Sequence, residues 1–107
     1  MGLKQYEIVL VNLDATKGSE IKKTRPVVII SPDEMNDNLR TVIVAPMTST
    51  SKNYPSRVKV KHSNKEGWIV LDQIRTIDKS RILNSLGELN KKESSTLKEV
   101  IREMLVD

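Results

Sequence analysis

Three short polar stretches sit at the ends of apolar ones, and their residue types suit phosphodiester chemistry. Glu20 and Arg25 lie in the charged loop KGSEIKKTR, which runs into Pro26 and the β-branched stretch PVVIIS. Thr48 and Ser49 follow Pro46-Met47 at the end of TVIVAP, and Asp72-Gln73 interrupt the apolar run WIVLDQI. A guanidinium grips a phosphate through two donors, a threonine hydroxyl supplies a further hydrogen bond, and a nearby carboxylate accepts a proton. The ends of different strands can bring such groups to one groove. The same residues also have plainer readings: a loop salt bridge for Glu20–Arg25, an ST-turn for Thr48 and Ser49, and a cap or turn acceptor for Asp72.

Other chemistries find little support. The chain has one histidine and no cysteine, and it lacks HExxH or carboxylates clustered at ligand spacing, so no metal site is expected. Neither a Walker loop nor GxGxxG is present, so no nucleotide cofactor is expected either. A Ser-His-Asp triad would need His62, which continues the face of Val58 and Val60 and reads as a packed or strand-end histidine. With 18 basic against 14 acidic residues the net charge is +4, a balance that favours polyanionic partners. The charge is spread along the chain, so any basic patch must be assembled by folding. The apolar run near the N-terminus is four residues long before Asn12, too short for a signal peptide or a membrane span. A cytoplasmic protein is expected.

The elements that must position these residues read as strands followed by a helix. A single domain over residues 1–107 is expected, long enough to bury roughly two-thirds of its unfolded surface. YEIVLVNL (6–13) is aliphatic on both pleat faces, the mark of a strand covered on two sides. PVVIIS opens on proline, as a first strand residue can, and TVIVAP (41–46) is a third strand. Residues 33–38 are turn-like or a short helical piece. RVKVKH (57–62) alternates strictly, Val58, Val60 and His62 on one face and Arg57, Lys59 and Lys61 on the other. After a turn over 64–67 come WIVLDQ and IRTI, and Asp78 is placed to cap a brief helix over 79–83. Asn90 and Glu93 stand at N-cap and N3 spacing before a helix whose Leu97, Val100, Ile101, Met104 and Leu105 form one apolar stripe. The pattern predicts a small, mainly β barrel closed by a C-terminal helix.

Three blocks in register resemble the MazF/PemK (Kid) family of toxin–antitoxin ribonucleases, over about residues 5–105. VNLDATKGSEIKKTRPVVIISPDEMN is similar to its strand, turn, Gly-x-Glu, basic loop and Arg-Pro signature. VIVAPMTSTSKNYPSRVKV resembles its Pro-x-Thr segment, and GWIVLDQIRTID its Asp-Gln block. The resemblance implies an SH3-like barrel of the CcdB/MazF/Kid kind, acting as a homodimer. It implies sequence-specific, metal-independent cleavage of single-stranded RNA, mRNA above all, and inhibition by a cognate antitoxin. The 2′-OH of the RNA would attack the adjacent phosphorus, leaving 2′,3′-cyclic phosphate and 5′-OH ends. No cofactor is implied.

Residue by residue, Arg25 matches the Arg-Pro arginine and Thr48 the Pro-x-Thr threonine, while Glu20 and Asp72 match acidic positions of their motifs. An arginine stays protonated at any ordinary pH and is a poor proton reservoir. Stabilising the phosphorane oxygens is its more natural task, with proton donation to the leaving 5′-oxygen the other possibility. Thr48 would orient the scissile phosphate. Glu20 would act as base towards the 2′-OH or hold Arg25, and Asp72 is better suited to structure or base reading. Lys17, Lys22, Lys23 and Lys52 are candidates for phosphate contact and Tyr54 for stacking, with Trp68 assigned to the core. Ser19, Ser49 and Gln73 complete the expected RNA side. Two positions depart from the Kid branch: Val70 replaces an arginine and Ser19 a histidine, which points to Arg25 as the main cation. Two alternatives remain: a gyrase inhibitor like the CcdB branch, whose Trp-Gly-Ile ending this chain lacks, and an inactive RNA-binding relative.

Overall fold

The first strand, β1 (Glu7–Asn12), is covered on both faces, as its composition predicts, and the other elements are arranged around it. In the computed structural model, which describes residues 2–12, 24–50, 54–62 and 65–106, eight further elements follow. They are β2 (Thr24–Ile29), α1 (Asp33–Asn38), β3 (Thr41–Thr48), β4 (Arg57–His62), β5 (Lys65–Val70), β6 (Arg75–Asp78), β7 (Ile82–Glu88) and α2 (Lys91–Leu105). Single 3-10 turns lie at Leu71–Gln73 and Lys79–Arg81, and Asp78 caps the second by accepting from the Ser80 N–H. The strands form one antiparallel, barrel-like sheet ordered β4-β5-β3-β2-β1-β7, with β6 also on β3. β4 and β7 end the described path.

Period-two alternation splits the core between the two faces. Ile8, Val28, Ala45, Met47, Val58, Val60 and Ile69 pack with Leu97 of α2 on one face. Val9, Val11, Val27, Ile29, Val42, Val44 and Ile77 form the cluster on the other. The helix is fixed at its start. The Asn90 side chain accepts from the Glu93 N–H and Glu93 returns the bond to the Asn90 N–H, a full capping box. The second Glu93 oxygen accepts from the Lys61 N–H at 2.9 Å, tying α2 to β4. Of the predicted stripe, Leu97 is buried and Val100 and Ile101 half-buried, whereas Met104 and Leu105 are exposed.

Three expectations need adjustment. β2 begins at Thr24, so Pro26 is its third residue and Arg25 lies within the strand. β7 falls where a helix was predicted to run on to residue 83; the helical piece ends at Arg81. This strand pairs with β1 through two register shifts, one beside Gly87, whose φ of 127° suits glycine alone. Trp68, assigned to the core, is half-buried and belongs to neither core cluster.

The arrangement around β3 opens the sheet. β3 pairs with β6 as far as Val44 and with β5 from Met47 onward, so it changes neighbour across Ala45-Pro46. On its other edge the ladder to β2 stops at Val27↔Pro46. Pro26 would be next to pair, and it has no N–H to donate to β3. Beyond that point the start of β2 and the end of β3 form a fork.

Candidate functional site

A groove of about 540 Å³ occupies the fork. Thr24, Arg25 and Pro26 of β2 form one wall, and Met47, Thr48 and Ser49 at the end of β3 form the other. Ile8, Val60, Gly67, Glu66 and Leu86 complete the lining. Had the β2–β3 ladder continued two places in its register, Arg25 would stand opposite Thr48. Arg25 and Thr48 thus both line one cleft, and the pairing that would close it stops short of them.

Arg25 is exposed, and among the described residues it makes no ion pair. The Thr48 hydroxyl donates to the Thr50 carbonyl at 3.1 Å and accepts from the Thr50 N–H at 3.4 Å, which is the ST-turn reading of that residue. Both bonds are local and exposed, so the hydroxyl can turn to another acceptor at small cost. Gly67 lets the wall close in, because a Cβ there would lie 3.3 Å from the Thr48 carbonyl oxygen. Among the described residues no group of three His, Cys, Asp or Glu side chains is placed to hold a metal ion.

Asp72 and Gln73 are not part of this lining. They are exposed on the 3-10 turn after β5, beside the start of β4. Asp72 accepts from the Ser56 hydroxyl at 3.0 Å and from Arg57 Nε at 3.3 Å. The Arg57 guanidinium in turn stacks 5.0 Å from the centre of the Tyr54 ring, which is itself exposed. Asp72 is thus an acceptor within a Tyr54–Arg57–Asp72 patch. The Arg57 hydrogen bond holds its carboxyl below the usual carboxylate range, against a smaller opposing effect of burial and with help from Ser56. A depressed folded-state pKa stabilises the fold above the unfolded value of about 3.9 and ceases to do so as pH falls through the folded value. The carboxylate is 38% exposed, so the effect is small. Asp72→Asn is expected to cost less than about 1 kcal/mol at neutral pH and nothing in acid, as urea unfolding at the two pH values will show. An equal cost at both would disprove the charge argument.

Glu20, Lys17, Ser19, Lys22, Lys23 and Lys52 lie outside the described residues. Sequence reasoning missed Glu66, Gly67 and Leu86 as groove residues. The strict alternation of β4 was the available signal for the first two: inward Val58 and Val60 pair with Ile69 and Gly67, which fixes where the start of β5 lies. Leu86 gave no such signal, since β7 is almost wholly exposed.

Comparisons with known proteins place the chain in a family. Residues 4–105 match the family model described as PemK-like, MazF-like toxin of type II toxin–antitoxin system. A protein of Staphylococcus saprophyticus described as endoribonuclease MazF is 34% identical over 105 residues, covering 92% of this chain and 88% of its own. A MazE–MazF crystal structure from Deinococcus radiodurans superposes with a TM-score of 0.79 at 26% identity, covering 97% of this chain and 93% of the other. A mycobacterial endoribonuclease solved with its cognate antitoxin gives 0.82 at 19% identity, covering 96% and 94%, a likeness of fold.

Proposed function

Since the chain belongs to the PemK-like, MazF-like toxins of type II toxin–antitoxin systems, we propose that it is an endoribonuclease cutting single-stranded RNA, mRNA in particular, at chosen sequences without a metal ion. The observation that carries the reading is that Arg25 and Thr48, from neighbouring strands, face one groove.

In this mechanism the 2′-oxygen of one nucleotide attacks the adjacent phosphorus, forming the 2′-O–P bond as the P–O5′ bond breaks. The 2′-hydroxyl proton passes to a base and the leaving 5′-oxygen gains a proton. The products are a 2′,3′-cyclic phosphate and a 5′-OH end. Arg25 stabilises the charge that builds on the non-bridging oxygens, its two-donor edge matching a phosphate. Thr48 exchanges its Thr50 partner for a phosphate oxygen and orients it. Glu20 is the candidate base or the holder of Arg25.

The reading includes a homodimer acting in the cytoplasm and silenced by a cognate antitoxin whose acidic segment competes for the groove. Leu83, Met104 and Leu105 are exposed apolar side chains of the type that oligomers cover.

The test is an end-group assay on a long unstructured RNA in excess EDTA. Fragments with 5′-OH and 2′,3′-cyclic phosphate ends are expected, and their termini will give the sequence preference. Intact RNA after incubation with folded protein would refute the activity, and cleavage abolished by EDTA would refute metal independence.

A further inference from the structure

Resting on the RNA-cleaving reading, we propose that Trp68 is the base-stacking platform of the substrate track, immediately beside Thr48. The register sets its direction. Val58↔Ile69 is an inward pair, so Lys59↔Trp68 is the outward pair next to it. On the other edge of β5, Trp68 is directly opposite Thr48. Residues so opposed in antiparallel strands have Cβ atoms about 4.5–5.5 Å apart. Thr48, Trp68 and Lys59 therefore form one row across three strands.

That row has the chemistry of a nucleotide site. The indole is half-buried and packs into neither core cluster, which leaves a large flat apolar ring with unspent surface. Lys59 Nζ lies 5.8 Å from the ring centre and 3.0 Å from a Glu66 oxygen. Both partners of that ion pair are more than half exposed, so the ammonium can leave it for a phosphate at little cost. Lys61 follows Lys59 on the same outward face. A flat ring beside cations suits a nucleobase with its phosphate, and the neighbouring Thr48 suits the next phosphate along the strand.

Trp68 is the only tryptophan in the chain, so its emission reports on the platform without labelling. The probe is a 2′-O-methyl copy of the RNA from the end-group assay, which binds but lacks the attacking hydroxyl. Saturable quenching of Trp68 emission is expected on titration. Trp68→Leu is expected to raise KM for cleavage about tenfold with kcat little changed, and Trp68→Phe to recover most of the loss. Unchanged emission while filter binding shows the probe bound would overturn the platform and leave the cleavage reading intact. So would a folded Trp68→Leu protein with wild-type KM. Quenching without cleavage would support the platform and sink the activity, whereas absence of both binding and cleavage would sink both.

Discussion

Arg25→Ala is expected to lower the rate of RNA cleavage by about 10²–10³-fold, the scale seen when one preorganised donor to a developing oxyanion is removed. The expectation follows from where the residue stands. Its neighbour Val27 is buried and holds β2 in the sheet, while Arg25 itself is exposed and adds no core contact. The variant should therefore melt with the wild type, so that lost turnover reflects lost chemistry. Arg25→Lys keeps a positive charge but not the planar two-donor edge, and should recover only part of the rate. The measurement is single-turnover cleavage of a mapped RNA site, with circular dichroism as the control. An Arg25→Ala protein within tenfold of wild type would remove Arg25 from the centre of the mechanism.

The second large effect concerns stability. Leu97→Ala should destabilise the fold by about 2–5 kcal/mol, the range for truncating a fully buried leucine. Leu97 is 0% exposed and is the buried residue by which α2 enters the cluster of Ile8, Val28 and Met47. At roughly 4–8 °C per kcal/mol for a domain near this size, the melting temperature should fall by about 8 °C or more. Ile8 and Met47 also line the groove, so the cavity lies one layer from the site. A drop of less than about 3 °C would mean that the helix contributes little to the core. Leu105→Ala, at an exposed position of the same helix, provides the comparison.

Much of this was legible in the chain because period and capping are local signals. β1 announced its two covered faces, RVKVKH its alternation, and Asn90 with Glu93 the start of α2. What escaped depends on pairing. β7 reads poorly as a strand because it is held to β1 by backbone bonds while most of its side chains remain exposed. Trp68 heads the unbroken apolar run WIVL, which carries no alternation to show that Ile69 turns in and Trp68 out. The missing N–H of Pro26 suits a strand start in the sequence, but in the structure it marks the end of one ladder inside a strand. The candidate site is divided in the same way. Its residue types were visible, and the family resemblance selected Arg25 and Thr48, but their shared groove follows from a register between strands some twenty residues apart in the chain.

The proline at the fork has an evolutionary corollary. Pro26 has no N–H to offer β3 at the next pair, so the ladder ends where Arg25 and Thr48 line the groove. A residue able to donate at Pro26 would let the ladder advance, adding backbone bonds and gaining stability at the expense of the opening. The fork is thus a stability–activity trade-off written into the sheet. Selection for thermal robustness alone would tend to erase it, so the cleft persists only while something that binds there is under selection.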